Sequence, residues 1–307
     1  MGRRILAIAI TLATAAGVYV LVRRTGTSVF QAAATPDWLL LSAGLVVCAA
    51  VQPLRAWAWS STVRSPVGFR AMYAASSIGS FLDTVLPGRM GEASKVAVLK
   101  VAAGPRWPGF SRAGGSLLCA HLLEMVAFAV LGAASAFFLP VPTWGKITLA
   151  VGLPLAGGAL LLLAAMHRRL GGRLPHGIST FIAGAAAPRH VMLRAGAILL
   201  LTWVARWFAV LLLLHAVGVH VGVGSALLYM VVTGLANTVP FLPGNVGLYQ
   251  GAAIGALAMA GHDGTKAVAA SLVTPAAVSL ATAAAALVGL ALYGRRLGDL
   301  RRAAVRF

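Results

Sequence analysis

An all-α protein with several membrane-spanning helices is the fold class that this sequence predicts, and three observations lead to it. Of the 307 residues, 60% are hydrophobic, and the mean hydropathy is +0.89. Several apolar runs reach the roughly 20 residues that a helix needs to cross a bilayer. Two further apolar runs are interrupted by Pro and Gly at corresponding places in the two halves of the chain. No stretch has the composition of a soluble domain, so we expect one membrane-embedded domain over residues 1–307.

Six apolar runs are predicted to be full spans, and they cover residues 5–22, 38–59, 114–139, 145–166, 195–217 and 266–293. A cleaved signal peptide is the alternative for the first run, but that run exceeds the usual apolar core of about 7–15 residues. Trp57 and Trp59 end the second run and are predicted to anchor it at the membrane interface. Cys48 and Cys119 lie within apolar runs, where we expect packing rather than a disulfide.

The spans divide the chain into two halves, about 1–139 and 195–293. A basic loop at 167–194 separates them, and a basic tail follows at 294–307. The net charge of +19 could suggest nucleic acid as a partner. The Arg residues, however, lie mostly between and beyond the apolar runs, which is typical of a membrane protein that meets anionic lipid. We therefore expect phospholipids, and no nucleic acid, as partners.

The first interrupted run, about residues 69–103, carries the densest set of ionisable groups. Its apolar pattern stops at Pro87-Gly88 and resumes as a helical pattern after Gly91. Pro removes a backbone donor and Gly permits dihedrals that a helix excludes. A broken helix at membrane depth must face protein or a wet cavity, because lipid cannot satisfy its backbone. A cytoplasmic loop between two spans is the alternative. The charged residues around the break are Asp83, Arg89, Glu92 and Lys95.

A second copy of the break favours the membrane-embedded interpretation. Residues 86–91 align with residues 242–247, 156 positions later, so that Pro243, Gly244 and Gly247 repeat Pro87, Gly88 and Gly91. Paired interruptions of this kind point to a transporter-type site formed by two re-entrant hairpins. Pro240 adds to the second break. The polar candidates beside it are Asn237, Asn245 and Gln250. After the break, Gly247, Gly251 and Gly255 form a stripe that predicts close helix contact.

Three more charged residues lie within apolar runs. Glu124 shares a helix face with His121, and we expect it to pair with a cation from the first break. His121 and Glu124 could also bind a metal, but the sequence offers no third ligand. Arg206 lies near the centre of its run between two Trp residues, so it is predicted to face a cavity. Arg55 lies near the end of its run, where we expect it to snorkel to the interface, and a role in the site is the alternative.

Charge distribution predicts the orientation. With a cytoplasmic N-terminus and two re-entrant hairpins, 17 of the 25 Lys and Arg residues fall inside and four outside. The remaining four are the intramembrane candidates. If either interrupted segment spanned the membrane, the basic loops would be divided between the two faces, against the positive-inside bias. We therefore expect both termini in the cytoplasm and two hairpins that enter from opposite faces, as in an inverted repeat.

The two motifs resemble a known family. The Leu-Pro-Gly-Arg-x-Gly-Glu segment at 86–92 and the Pro-x-x-Pro-Gly-x-x-Gly segment at 240–247 are similar to those of the flippase-like family. This family is also called the lysylphosphatidylglycerol synthase transmembrane region, the membrane half of the multiple peptide resistance factor. The resemblance covers nearly the whole chain. This sequence departs from it at Gln250, where the family often has Glu, and at Glu124-Met125, where it often has Glu-Arg.

The resemblance and the residues together imply lipid translocation in the cell membrane. Arg89, Lys95, Arg206 and Arg55 would supply cations to a headgroup phosphate, and the acidic residues would balance them or bind an amine. The expected substrate is an anionic or aminoacylated phospholipid, or a related lipid-linked molecule. The alternative for these charges is that they only pair with one another.

Two other functions are the alternatives: a membrane enzyme acting on a lipid phosphate, and a membrane scaffold without transport. The sequence has no Ser/His/Asp set and no nucleotide loop. The family's aminoacyl-transferase activity resides in a separate soluble domain, so we expect neither an enzyme nor a cofactor or metal. The resemblance is compatible with a homo-oligomer and with a separate soluble synthase or glycosyltransferase partner.

Overall fold

The computed structural model describes residues 36–85, 90–138, 143–170, 174–237, 247–262 and 264–304. Within these ranges the chain forms α-helices and no strand, so the all-α prediction is confirmed. In chain order the helices are α1 Trp38–Val63, α2 Phe69–Val85, α3 Met90–Ala103, α4 Phe110–Phe138, α5 Thr143–Leu170, α6 His176–Ala185, α7 Arg189–Ala216, α8 Val223–Ala236, α9 Leu248–Met259 and α10 Gly264–Ala304. The predicted first span, residues 5–22, lies outside the described residues.

Four helices are long and apolar enough to cross a membrane, by length and composition. Their candidate spans are Trp38–Val63, Phe110–Ala134, Arg189–Ala216 and Gly264–Tyr293, in α1, α4, α7 and α10. Each coincides with a predicted full span, so the chain is a multi-pass membrane protein. Helix α5 lies where the fourth span is predicted, and Pro154 is accommodated within it.

The helices on either side of the two breaks are short. Before and after the first break, α2 has 17 residues and α3 has 14. Before and after the second, α8 has 14 residues and α9 has 12. At about 1.5 Å per residue each is about 18–26 Å long, less than the roughly 30 Å of a hydrocarbon core. Pro87, Gly88, Arg89, Pro240, Pro243, Gly244 and Asn245 lie outside the described residues.

The chain divides into two compact units, each assembled from separate segments. The Glu124 unit comprises the described residues within 49–82, 91–205 and 282–307. The Tyr229 unit comprises those within 1–48, 83–90 and 206–281. Helices α1, α2, α3, α7 and α10 therefore contribute residues to both units.

Two apolar clusters form the core of the Glu124 unit. One packs the end of α1 against α2, α3 and α4 through Trp59, Met72 and Leu99. The other packs α1, α4 and α7 through residues that include Cys119 and Ile198. Both Cys residues of the chain are buried and free, as the sequence predicts. The interface prediction for Trp59 is wrong, because only 3% of it is exposed.

The loop predicted at 167–194 contains a helix that the sequence analysis misses. Helix α6 buries Ile182, Gly184 and Ala185. It packs on α4 at very close range: a Cβ added to Gly115 would lie 2.0 Å from the Phe181 carbonyl oxygen. The Arg64 guanidinium also donates a hydrogen bond to the Ala183 carbonyl. Helix α6 was not predicted because it is short, rich in small residues and lies within a basic stretch.

The Tyr229 unit is built around α8, which buries ten of its 14 residues. Helix α9 packs against α8. Helix α1 meets α7 closely, since a Cβ on Gly44 would lie 2.8 Å from the Leu213 Cδ2 atom. The close contact predicted for the glycine stripe is not found in the described part of the chain, because a Cβ on Gly247, Gly251 or Gly255 would meet nothing within 4 Å. Apolar composition predicted a packed stripe, but the packed face of α9 is the one with Ala253, Ala256 and Leu257.

Candidate functional site

Two ion pairs lie beside the first break, within the Glu124 unit. In the first, Nη2 of Arg55 on α1 donates to both carboxylate oxygens of Glu124 on α4, at 2.7 and 2.8 Å. The exposed fractions of these side chains are 22% and 13%. In the second, Nζ of Lys95 donates to Oε1 of Glu92, one turn earlier on α3, at 2.5 Å. The exposed fraction of the Lys95 side chain is 7%.

One small cavity is lined by all four of these charged residues. Its volume is about 30 Å³, and its remaining polar lining comes from Trp59, Ser76 and His121. We call the four ion-paired residues together with His121 the charged cluster. A water molecule needs roughly 10–15 Å³ of such space. The cavity therefore has room for water but not for a phospholipid headgroup.

The close approach of α2 and α3 positions Lys95. A Cβ added to Gly79 on α2 would lie 2.2 Å from the Lys95 Cγ atom and 3.0 Å from the Gly91 carbonyl oxygen. Only glycine at position 79 leaves room for the Lys95 side chain to pass between α2 and α3. The aliphatic stem of Lys95 therefore crosses α2 at Gly79, and its ammonium group reaches Glu92 at the cavity.

The opposite wall of the cavity comes from α1 and α4. Arg55 and Trp59 are four residues apart on α1, so they lie on one helix face. The Trp59 indole N–H donates to Ser116 Oγ at 3.2 Å, and Thr62 Oγ1 donates to the Ser116 carbonyl at 3.1 Å. These bonds fix α1 against α4 one turn away from the ion pair. They explain why Arg55 reaches Glu124.

The structure brings together four of the predicted site residues: Arg55, Glu92, Lys95 and Glu124. The snorkelling prediction for Arg55 is wrong, because its guanidinium lies against Glu124. The sequence analysis expected the cation bonded to Glu124 to come from the first break. Among the described residues, the cation in that ion pair comes from α1. Glu92 lies in the first turn of α3, where a carboxylate also suits the helix dipole.

The other predicted site residues that the structure describes are not among the lining residues of this cavity. Asp83 in α2 and Arg206 in α7 are half-buried and belong to the Tyr229 unit. Arg206 is within electrostatic reach of Cys48 on α1. Asn237 ends α8, and its backbone N–H donates to the Thr233 carbonyl at 3.0 Å. Gln250 caps α9, since its Oε1 accepts from the Gly247 N–H at 2.6 Å.

His121, Ser76 and Trp59 complete the cavity and are absent from the predicted site. The signal for His121 was present in the sequence as its spacing from Glu124 on one helix face. Ser76 and Trp59 gave no such signal, because a lone serine and an aromatic residue in an apolar run usually only pack. No sequence pattern indicated the role of Gly79 either.

Near the second break the polar contacts are between hydroxyl groups. Tyr229 on α8 is fully buried, and its hydroxyl lies 2.6 Å from Thr274 Oγ1 on α10. The Tyr249 hydroxyl on α9 lies 3.3 Å from the same oxygen. Thr274 also donates to the Ala270 carbonyl at 2.8 Å, next to the helix irregularity expected at Pro275. This hydroxyl network joins α8, α9 and α10 within the Tyr229 unit.

Fold and site together define a multi-pass membrane protein that keeps a charge-balanced cluster beside a break in its helices. The chain belongs to the lysylphosphatidylglycerol synthase TM region family, whose model matches residues 4–286. This match confirms the family resemblance and makes the chain a lipid-related membrane protein. No curated protein and no solved structure is significantly similar to the chain.

Proposed function

We propose that this protein moves a phospholipid, or a related lipid-linked molecule, across the cytoplasmic membrane. The expected headgroup is anionic or aminoacylated. The observation that carries the proposal is the charged cluster around Arg55, Glu92, Lys95 and Glu124. A single charge within a membrane costs about 2.5–3.5 kcal/mol on insertion scales, and such charges are functional by default.

The chemistry of a lipid headgroup matches this set of side chains. An arginine fork grips phosphate oxygens in pairs, and a lysine adds a compact positive charge. The two carboxylates suit an amine or balance the fixed cations. Arg89, which lies outside the described residues, would add a third cation at the break itself. Further polar candidates for contact with the lipid are Asp83, Asn237, Asn245 and Gln250, which are close to the two breaks in sequence, and Arg206 in α7.

A headgroup reaches this site only when the cluster opens. The cavity of about 30 Å³ is too small for a phosphate with its substituents. A headgroup phosphate can replace Glu124 as the partner of Arg55, and an amine can replace Lys95 as the partner of Glu92. A headgroup with one phosphate and one amine brings no net charge, and Glu124 and Lys95 can then pair with each other, which lowers the barrier to opening. The conformation in the structure is then the closed one.

We further propose that α2–α3 and α8–α9 are re-entrant hairpins, inverted with respect to each other, in a cell-membrane protein with both termini in the cytoplasm. Their lengths support this, because helices of 12–17 residues fall short of a full span. The tight packing at Gly79 also supports a closed hairpin of α2 and α3.

Cysteine labelling tests this topology. Thr143→Cys and Ser179→Cys are introduced separately into a chain in which Cys48 and Cys119 are replaced by Ala. With α5 as a span between them, membrane-impermeant maleimide should label the two positions from opposite faces of the membrane, Ser179→Cys from the cytoplasm. Labelling of both from one face would contradict the proposal.

A membrane scaffold without transport is the second candidate, and one observation favours it. Both ion pairs are satisfied within the protein, which is all that a structural role requires. The cavity at their junction favours the site, because well-packed structural pairs need no space beside them. Transport measurements distinguish the two candidates.

The test of function is headgroup accessibility in proteoliposomes. Labelled phosphatidylglycerol, lysyl-phosphatidylglycerol and phosphatidylethanolamine are each quenched from outside with dithionite. We expect the protein to expose the inner-leaflet fraction of at least one lipid. Arg89→Ala and Glu92→Gln should abolish this movement in folded protein, and Arg89→Lys should retain part of it.

The matched control is Arg106→Ala, which removes an exposed cation from the 3-10 turn at 104–106. Its activity should equal that of the unmodified protein. Near-normal transport by folded Arg89→Ala protein would remove the central cation from the mechanism and favour the scaffold.

A further inference from the structure

We propose that His121 is a proton-binding site, and that this protein takes up one proton together with the lipid phosphate. The inference rests on the proposed function and names the proton as the ion whose movement is coupled to that of the lipid. The observations that carry it are the position of His121 in the cavity wall and the balance of charge around it.

His121 lies among the charged groups of three helices. It is on α4, one turn before Glu124, and it lines the same cavity as Arg55 on α1 and both Glu92 and Lys95 on α3. Its ring is within electrostatic reach of both Glu92 and Glu124. Helices α2 and α7 contribute Ser76 and the apolar Leu199 to this wall. Within the described lining, the charges that His121 faces are therefore two carboxylates and two cations.

The charged cluster has no net charge while His121 is neutral. Arg55 balances Glu124, and Lys95 balances Glu92. A phosphodiester headgroup carries one negative charge, so its arrival leaves one buried negative charge in excess. A proton on His121 removes that excess. Because uncompensated charge is costly in a buried site, the phosphate and the proton each favour the binding of the other.

His121 is better suited to accept this proton than the carboxylates. Before the lipid binds, protonation of Glu92 or Glu124 would remove the negative charge from its ion pair with Lys95 or Arg55. Protonation of His121 leaves both ion pairs intact, and places a new positive charge beside two acidic groups. Histidine is also the side chain that ordinarily changes its charge between about pH 5 and 8. A phosphodiester keeps its single charge throughout that range.

The sign of the coupling follows from linkage. The lipid binds better to the protein with His121 protonated, so affinity is highest at low pH and falls as His121 loses its proton. Since both bind together, a proton gradient drives the lipid in the direction in which the proton moves. Coupling of this kind typically changes affinity by about 5–150-fold.

Calorimetry tests the proton site without transport. Short-chain phosphatidylglycerol is titrated into purified full-length protein in detergent, at several pH values between about 6 and 8, in two buffers with different ionisation enthalpies. We expect uptake that approaches one proton per bound lipid at the pH values where the free histidine is neutral, and none for His121→Gln. Glycerophosphoglycerol, the same headgroup without acyl chains, shows whether the phosphodiester alone is enough. Binding without proton uptake, uptake that persists in His121→Gln, or an absence of binding would each overturn the inference.

Transport in proteoliposomes tests the direction of coupling. Movement of labelled phosphatidylglycerol should be about fivefold faster or more with the gradient favourable than with it reversed, and His121→Gln should respond to neither gradient. His190→Gln, an exposed histidine at the start of α7, is the control and should behave as the unmodified protein. Proton-linked binding without lipid movement would reject the proposed function but would still support a proton-binding site at His121. Lipid movement that is indifferent to the gradient would reject proton coupling and leave the proposed function.

Discussion

The two breaks share a backbone pattern and differ in chemistry. After the first break, α3 begins with Glu92 and Lys95 one turn apart, and both line the cavity. The aligned positions after the second break are Leu248 and Gly251, which carry no charge. The helices before and after the second break are instead joined by hydroxyl contacts between Tyr229, Tyr249 and Thr274.

The repeated Pro and Gly residues are therefore followed by a charged site in the first copy, and by no Asp, Glu, Lys or Arg over residues 247–262 in the second. Pro and Gly produce the break in both copies because they act on the backbone, whatever side chains follow. Buried ion pairs and hydroxyl bonds both satisfy polar groups, but they differ in strength and in response to substitution. Charged hydrogen bonds contribute about 1.5–3 kcal/mol and neutral ones about 0.5–1.5 kcal/mol. Three substitutions test this comparison, from the largest expected effect to the smallest.

The largest effect is expected at the Arg55–Glu124 pair. Arg55→Ala leaves a half-buried carboxylate without its cation, and should lower the free energy of unfolding by about 3–5 kcal/mol. Lipid movement should be lost as well. Both are measured in detergent-solubilised protein and in proteoliposomes.

A double variant separates stability from function at this pair. Arg55→Met with Glu124→Leu replaces both charges by apolar groups and should restore most of the stability. It should not restore lipid movement. Full transport by this stable double variant would show that the pair has only a structural role.

An intermediate effect is expected at Gly79. In Gly79→Ala the new Cβ would lie 2.2 Å from the Lys95 Cγ atom, so α2 or Lys95 must shift. We expect overpacking to cost about 1–3 kcal/mol of unfolding free energy. Gly251→Ala, at the position aligned with Lys95, is the matched control, because its Cβ would meet nothing within 4 Å. Equal thermal stability of the two variants would contradict the close packing of α2 on α3.

The smallest effect is expected at Tyr229. Tyr229→Phe removes the hydroxyl that lies 2.6 Å from Thr274, which still bonds to the Ala270 carbonyl. The free energy of unfolding should fall by about 0.5–1.5 kcal/mol, and lipid movement should remain. Loss of lipid movement in stable Tyr229→Phe protein would place the second break within the functional site.

Much of the fold was predictable from the sequence because bilayer insertion depends on local composition. A run of about 20 apolar residues is sufficient to predict a span wherever its neighbours lie. The helices α1, α4, α7 and α10 agree with such runs. The short helices on either side of both breaks agree with the positions of the Pro and Gly residues, because these residues also act locally, on the backbone. The family followed from two local motifs and is confirmed by the match over residues 4–286.

The candidate site was only partly predictable. Glu92 and Lys95 could be paired from the sequence, since they are one turn apart on one helix. Arg55 and Glu124 are 69 residues apart, and their pairing depends on how α1 and α4 are rotated about their axes. Membrane helices are apolar on most sides, so hydropathy does not encode that rotation.

The sequence by itself thus determined the helices, the two breaks and the kinds of charge beside the first. The tertiary structure decided which charges meet. It placed Arg55 against Glu124, turned Trp59 inward to Ser116, formed α6 within a basic loop and left the α9 glycines uncovered. The physical reason is that close approach between helices depends on small residues such as Gly79 and Gly115, whose partners lie on other segments of the chain.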